Sequence, residues 1–159
     1  MLDRIRTIAD FQFGKGAGLA LFPDDSKFFL SRTGRVRQIA SGGKRIATVR
    51  ANDGFLILSA YGGERLKPVL PFPQKRVIMN EDAAPFVAKG KTAFCKFVTD
   101  CDPEIRALEE ILLVDKDDNF LATGQSLLAA AEIKAFKRGT AVHVRYGAKG
   151  KDMGAEPSE

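Results

Sequence analysis

The residues that could perform chemistry are few in this sequence. His143 is the single histidine, and Cys95 and Cys101 are the only cysteines among 159 residues. A catalytic zinc site commonly uses three protein ligands, and a nucleophile needs a base within reach, so these residues predict neither a metal centre nor nucleophilic catalysis. Two thiols in a chain of this size are typical of a reducing compartment. We therefore expect both cysteines to be buried and inert.

Two further motifs resemble ligand sites only in part. The GKGAG segment at 14–18 lacks the residue order of phosphate-binding loops and follows a predicted helix, so it indicates a helix end and a tight turn. The acidic residues at 115–118 lack the glycine and terminal glutamate of a calcium loop and indicate a hairpin turn. The carboxylates of the first half form no recognisable acid–base pair. The sequence therefore predicts no cofactor and no metal. An enzyme with an unrecognised active site stays as an alternative hypothesis.

The charge of the chain is unevenly distributed. Lysine and arginine number 25 against 20 aspartate and glutamate, a net charge of +5. Residues 1–74 carry twelve basic and six acidic side chains, whereas residues 75–147 carry eleven of each. A basic half predicts a polyanionic partner, nucleic acid before a membrane. The amino terminus has no apolar signal-peptide core and no run of apolar residues is long enough to span a membrane, so we expect a soluble, cytoplasmic protein.

The hydrophobic pattern of the first half predicts a helix packed on a small antiparallel sheet. Apolar residues recur at three- and four-residue steps from Leu2 to Phe13, which is typical of a helix that ends near Gly14. An apolar patch follows at 28–30. The predicted strands are 35–40, 44–50 and 55–60, the first two joined by Ser-Gly-Gly and the third closed by Gly62-Gly63.

A proline-rich segment separates the two halves. Pro68, Pro71 and Pro73 lie within six residues, and proline at this density disfavours helix interiors and paired strands. We predict a first domain at 1–67, an extended connector at 68–74, a second domain at 75–147 and a polar, disordered tail at 148–159.

The second half predicts a small barrel-like sheet with short helices. Acidic residues before Ala83, Lys89 in the last turn and Gly90 after it are the start and stop signals of a helix at 83–88. The other predicted elements are strands at 76–79, 92–98, 110–115, 120–126 and 140–146 and a helix at 127–136. The predicted class is α+β, a sandwich-like helix-on-sheet domain followed by a β pseudobarrel.

Several motifs of the second half carry a family resemblance. The segments RVIMNEDAAPFVAKGKTAFCKFV, LLVDKDDNFLATGQSLL and AFKRGTAVHVRYG resemble the PUA domain, a small RNA-binding pseudobarrel of pseudouridine synthases and archaeosine transglycosylases. In the first half, IADFQFGKGAG, ALFPDD, SRTGRVRQI and ATVRANDGFLILS resemble the domain that precedes PUA in archaeal tRNA-guanine transglycosylases. The resemblance covers residues 2–147. It does not extend to that family's catalytic barrel and zinc site, so we expect no transglycosylase activity from these residues.

The resemblance implies a particular mode of RNA contact. PUA domains dock a double-helical stem, often beside a 3′ overhang, with their first helix, the glycine-bearing loop after it and their last strand. In this sequence the helix corresponds to 84–89 and the last strand includes His143 to Arg145. The implied RNA-binding residues are Lys89, Gly90, Lys91, Lys137, Arg138 and Arg145. Lysines beside a glycine suit phosphate contact, because the glycine lets the backbone approach closely.

A second cationic surface is predicted in the first half. Arg32, Arg35, Arg37, Lys44 and Arg45 cluster around one predicted hairpin and supply most of its charge excess. A charge run is usually a solvated surface, yet here no acidic residue lies nearby to balance it. We interpret Arg35, Arg37, Lys44 and Arg45 as a patch that tracks phosphates.

Three functional hypotheses follow from these features. The first is a non-catalytic, archaeal-type RNA-binding protein that binds tRNA or another structured stem. It would assist a separate RNA-modification enzyme, which would be the catalytic subunit. The second is a protein adaptor in RNA modification or ribosome assembly. The third is the enzyme with an unrecognised active site.

Overall fold

The computed structural model describes residues 1–150. They form two compact units, which we call unit 1 (1–70) and unit 2 (71–150). Among the described residues, no helix is long and apolar enough to cross a membrane.

Unit 1 is a four-stranded antiparallel sheet with three short helices, and its strands lie in the order β1-β2-β3-β4. Its elements are α1 (Leu2–Phe13), α2 (Ala17–Leu21), β1 (Lys27–Leu30), β2 (Val36–Ser41), β3 (Lys44–Val49), β4 (Leu56–Leu58), α3 (Ala60–Leu66) and a 3₁₀ helix (Lys67–Val69). The predicted first helix and the predicted basic hairpin are confirmed. The short elements α2 and β1 were not predicted from the pattern.

Helix α1 forms because its apolar residues share one side. Ile5, Ala9 and Phe13 are buried, and the helix ends at Gly14, whose φ of 123° few other residues adopt. After this turn α2 packs directly on α1. A Cβ on Gly18 would lie 2.4 Å from the carbonyl oxygen of Arg6, so the close approach of the two helices requires glycine.

A strand was predicted at 55–60, closed by Gly62-Gly63, and the second half of this prediction was wrong. The strand is limited to β4, and Gly62 and Gly63 lie inside α3 instead of closing the strand. The Ser59 hydroxyl starts this helix by accepting a hydrogen bond from the Gly62 N–H at 3.0 Å. A Cβ on Gly62 would lie 2.2 Å from the Ile46 carbonyl oxygen, so this glycine permits contact between α3 and β3. Glycine here serves packing, although its local signal is that of a turn.

The proline-rich segment is not extended. Lys67–Val69 forms the 3₁₀ helix with Pro68 in its first turn, where a missing N–H costs little. Residues 71–74 form a turn in which the Gln74 N–H donates to the Pro71 carbonyl at 2.7 Å. Proline fixes φ at a value that both 3₁₀ helices and turns accept, so its density does not require an extended chain.

Unit 2 is built on a six-stranded mixed sheet in the order β6-β10-β9-β8-β5-β7. Its elements are β5 (Arg76–Met79), α4 (Ala84–Ala88), β6 (Ala93–Phe94), a 3₁₀ helix (Cys95–Phe97), β7 (Val98–Cys101), β8 (Glu110–Val114), β9 (Phe120–Ser126), α5 (Ala130–Ala135) and β10 (Thr140–Gly147). The strands enclose one apolar core, to which α4 and α5 each contribute a buried side chain, Val87 and Ile133. The predicted α+β class and the pseudobarrel with short helices are confirmed.

Two elements of unit 2 differ from the prediction. The strand predicted at 92–98 is broken, because β6 pairs with β10 whereas β7 pairs with β5 at the other end of the strand order. The 3₁₀ turn between them makes the required change of direction. The helix predicted at 127–136 is shortened to α5, since the Ser126 hydroxyl donates to the Leu128 carbonyl and Ala129 is extended.

The predicted tail begins later than expected. The Ala148 N–H donates to the Leu121 carbonyl at 2.8 Å, and the Lys149 N–H donates to the Ala88 carbonyl at 2.8 Å. Residues 148–150 are therefore part of unit 2, and the rest of the predicted tail lies outside the described residues.

Two arginines of unit 2 are held by acidic side chains within the fold. The Arg76 side chain, only 3% exposed, donates to Asp118 at 2.8 Å. Arg145 on β10 makes a bidentate contact with Glu110 on β8, with N–O distances of 2.8 and 3.2 Å. The Glu110 side chain is 5% exposed, so removing its charge would leave the Arg145 guanidinium without its buried counterion.

We expect Gly62→Ala to destabilise the protein by about 2 kcal/mol, because the new methyl group would overlap the backbone of β3. The measurement is the free energy of unfolding in urea. The matched control is Gly34→Ala, where a Cβ meets open space and only the φ of 82° is unfavourable, at a cost of about 1 kcal/mol. A loss for Gly62→Ala no larger than that for Gly34→Ala would contradict the packing role.

We expect Glu110→Gln to lower the free energy of unfolding by about 3 kcal/mol, since it breaks a largely buried ion pair. The control is Glu81→Gln, which removes the partner of Lys116 at a site where the side chains are 66% and 58% exposed. Exposed pairs contribute less than about 1 kcal/mol, so this variant should unfold close to wild type in the same thermal or urea melt. Equal losses would show that the Glu110 pair has no special weight.

Candidate nucleic-acid interface

The C-terminal end of α4 shapes the first candidate contact. The helix ends at Lys89, and Gly90 follows with a φ of 97°, a conformation that suits glycine. The N–H groups of Lys89 and Lys91 both donate to the Phe86 carbonyl, at 3.1 and 3.0 Å, so the loop is tightly wound. Lys89, Gly90 and Lys91, which we call the glycine loop, are all exposed. A Cβ on Gly90 would meet nothing within 4 Å, so the space beside its Cα is open to a ligand, while its N–H donates to the Val87 carbonyl at 2.9 Å.

The end of β10 packs directly against this loop. A Cβ on Gly147 would lie 2.2 Å from the Ala88 carbonyl oxygen and 2.7 Å from the Gly90 nitrogen. The hydrogen bond from the Lys149 N–H to Ala88 continues the contact. Lys149 is exposed and lies beside the glycine loop. Sequence reasoning missed this residue because it was assigned to the tail, and nothing in its spacing links it to Gly90.

The turn before β10 brings a second pair of cations to the same edge of the sheet. Lys137 and Arg138 are exposed, and the Gly139 carbonyl accepts a hydrogen bond from the Cys95 N–H at 2.9 Å. This turn lies at the C-terminal end of the edge strand β6, whereas the glycine loop lies before its N-terminal end. From 91 to 95 the chain covers about 13 Å at the usual rise of a strand. The two cationic groups therefore lie along one edge.

Exposed aromatic rings accompany these cations. Phe86 is 60% exposed and Phe94 is 40% exposed, the first on α4 and the second on β6. An apolar side chain gives no local sign of whether it will reach the surface, so the sequence does not identify these two rings. The edge thus combines positive charge with flat apolar surface.

The two candidate residues within β10 are placed differently. His143 is exposed and lies opposite Gln125 on β9. Arg145 is half-buried in its contact with Glu110, so it adds little net positive charge to the surface. The structure brings Lys89, Gly90 and Lys91 together with Lys149. Arg145 differs from these residues because its charge is paired with Glu110.

The basic residues of unit 1 form two groups rather than one. Arg35 and Arg37 are exposed at the start of β2, whereas Lys44 and Arg45 follow the turn at its other end. Arg45 lies opposite Ala40, about 10 Å along the strand from Arg37, and Lys44 lies opposite Ser41, about 20 Å along the strand from Arg35. Lys44 places its ammonium 5.1 Å from the centre of the Tyr61 ring, and Arg45 is half-buried. Arg35, Arg37 and Lys44 are therefore exposed, and Arg45 is the less accessible of the four.

The titratable groups of unit 2 with a shifted pKa include two thiols and one ion pair. Cys95 and Cys101 are free and buried, as expected, and burial raises the pKa of each thiol, so both stay protonated at neutral pH. A hydrogen bond from Lys134 lowers the pKa of Asp100, and the same contact raises the pKa of Lys134. Within residues 1–150, no group of three His, Cys, Asp or Glu side chains is placed to hold a metal ion.

Two family models match the chain in the order seen in the structure. Residues 3–73 match the patch-forming domain C2 of tRNA-guanine transglycosylase, and residues 75–147 match the PUA domain. The tRNA-guanine(15) transglycosylase of Methanothermobacter thermautotrophicus is 49% identical over 147 residues, which are 92% of this chain and 22% of that protein. The Thermococcus kodakarensis enzyme is 49% identical over 143 residues, 90% of this chain and 24% of that protein. The chain thus spans about a quarter of the length of these relatives.

Solved structures share the architecture. A hypothetical protein from Pyrococcus horikoshii OT3 superposes with a TM-score of 0.72 at 19% identity, covering 94% of this chain and 91% of its own. A conserved PUA domain protein from Thermoplasma acidophilum superposes with a TM-score of 0.58 at 26% identity, covering 73% and 72%. The first likeness concerns the fold of both units. Taken with the family models, these matches show that the chain belongs to the PUA-domain proteins and resembles the C-terminal domains of archaeal tRNA-guanine transglycosylases.

Proposed function

We propose that this protein binds structured RNA, with tRNA as the first candidate, and that residues 1–159 do so without catalysing a reaction. The observation that carries the proposal is the convergence of Lys89, Lys91 and Lys149 on the open backbone at Gly90. Three exposed lysines whose backbones lie beside an accessible glycine suit phosphate binding, in a unit that matches the PUA domain.

The arrangement suits an A-form stem better than a DNA duplex. RNA helices present a wide, shallow minor groove with 2′-hydroxyls, and proteins recognise them mainly through shape, phosphates and these hydroxyls. The glycine loop offers an unobstructed Gly90 and flexible lysines but no acidic or amide side chain suited to one base. Lys137 and Arg138, further along the β6 edge, extend the cationic surface.

Unit 1 contributes attraction over a longer range. Residues 26–52 contain seven lysines and arginines and no aspartate or glutamate. Arg35 and Arg37 are exposed in this segment, so it carries a concentrated positive field. We propose that these residues contact phosphates of the same RNA, with Lys44 and Arg45 contributing charge at the other end of β2.

The relatives suggest the biological setting. They are tRNA-guanine(15) transglycosylases of which this chain matches about a quarter. We therefore propose that the protein presents tRNA to a separately folded RNA-modification enzyme. That enzyme would be the catalytic subunit, and this protein would be the RNA-binding one.

We expect the purified protein to bind tRNA more tightly than a DNA duplex of matched length, because only the RNA has A-form geometry and 2′-hydroxyls. Fluorescence anisotropy titrations at two salt concentrations would measure both affinities. Affinity for tRNA should fall with salt at a slope of roughly 0.7–0.9 per phosphate contacted on logarithmic axes. Equal binding to both nucleic acids, or binding to neither, would refute the RNA assignment, and a stoichiometric partner that survives nuclease treatment would then favour the adaptor.

We expect Lys89→Ala combined with Lys91→Ala to weaken tRNA binding about tenfold and to reduce the salt slope by roughly 1.5, since two phosphate contacts are lost. The matched control is Lys134→Ala, which removes an exposed lysine of unit 2 whose charge is engaged by Asp100. The control should leave affinity and slope nearly unchanged, and circular dichroism melts should show all variants folded. Unchanged affinity in the double variant would move the main contact to Arg35 and Arg37.

A further inference from the structure

An exposed aromatic pair in unit 1 is not used by the proposed phosphate contacts. Phe11 on α1 is 81% exposed, the largest value among the exposed large hydrophobic side chains of the described residues. Its ring stacks on Phe55, with centroids 6.4 Å apart and an angle of 23° between the planes. The guanidinium of Arg50 lies over the same Phe55 ring at 5.8 Å from its centre. We call Phe11, Phe55 and Arg50 the aromatic platform.

The platform is held in place by polar contacts on both of its sides. Gln12, the neighbour of Phe11, joins α1 to β4 with two hydrogen bonds to the Leu56 backbone, at 2.9 and 2.7 Å. Asp53 accepts hydrogen bonds from the Phe55 N–H at 3.0 Å and from the Arg50 guanidinium at 3.1 Å. These contacts fix the backbone that carries the two rings, which reduces the entropy cost of binding to the platform.

The surroundings of the ring distinguish its ligand. Arg4 and Thr7, which lie on the Phe11 side of α1 at helical spacing, are polar and exposed. A protein-docking surface would place further apolar residues around the ring, whereas a nucleobase needs only the flat ring and a nearby cation. Arg50 is also the last basic residue of the segment 26–52, so the platform adjoins the part of unit 1 with the densest positive charge.

We propose that the aromatic platform stacks an unpaired nucleobase of the RNA that the protein binds. This inference rests on the proposed RNA-binding function and adds a site for a single-stranded nucleotide. Phe11 supplies the outer stacking face, Phe55 supports it from behind, and the cationic residues of 27–50 hold the flanking phosphates. The site is tolerant of base identity, because every base has a π face and the platform offers it no pattern of hydrogen-bonding side chains.

The test uses the full chain and three short RNAs: a fully paired stem, the same stem with an unpaired adenosine extension, and that extension with abasic riboses. The abasic RNA retains the phosphates and removes the bases. We expect wild type to bind the adenosine form about tenfold more tightly than the abasic form. Phe11→Ala should abolish this preference while leaving affinity for the paired stem and the salt slope unchanged.

Two matched variants sharpen the result. Phe11→Leu keeps an apolar side chain without the ring and should behave like Phe11→Ala. Leu19→Ala removes another exposed apolar side chain from the helices of unit 1, 71% exposed, and should keep the preference. Because Phe11 is exposed, both of its variants should melt at the wild-type temperature.

The possible outcomes separate this inference from the proposed function. If wild type binds the paired stem but shows no preference for bases, or if Phe11→Ala retains the preference, the platform is not a base site. A Phe11→Ala variant that keeps the preference but loses self-association in sedimentation would identify the platform as a protein contact and overturn the inference. Absence of binding to all three RNAs would refute the proposed function itself.

Discussion

The candidate RNA surface of unit 2 depends on the close approach of β10 to α4 at Gly147. A side chain at this position would overlap the Ala88 carbonyl and the Gly90 nitrogen, so only glycine lets the end of the strand lie against the loop. The contact is made by backbone, and the Lys149 N–H extends it by one further hydrogen bond to Ala88. The backbone of the surface is thereby positioned without using its lysine side chains, which can adapt to a phosphate.

The charges of unit 2 are divided between two roles that net charge does not distinguish. Residues 75–147 carry as many acidic as basic side chains. Buried or half-buried guanidiniums at Arg76 and Arg145 are neutralised by Asp118 and Glu110, and they stabilise the sheet. The lysines of the glycine loop are exposed instead, so their charges face the solvent. A unit with almost no net charge can therefore present a cationic surface, because its carboxylates are partly used in the interior.

Sequence reasoning succeeded where local pattern and tertiary role agree. Helix α1 and strand β9 follow their hydrophobic periodicity, and the β2–β3 hairpin follows its Ser-Gly-Gly turn. It failed where a residue serves a distant contact. Gly62 has the local character of a strand end but packs α3 on β3, and the segment at 92–98 changes partners from β10 to β5. Neither requirement leaves a trace in neighbouring residues.

The amino-acid sequence by itself determined the α+β class, the family resemblance, the basic character of the first half and the Lys89–Lys91 loop. These follow from periodicity, composition and contiguous motifs, which are local properties of the chain. Only the tertiary structure decided that Lys149 lies beside that loop, that Arg145 is engaged by Glu110, and that the Phe11 ring is exposed. The physical reason is the same in each case: burial and neighbourhood are set by residues far away in the chain, through backbone contacts and ion pairs that no local pattern encodes.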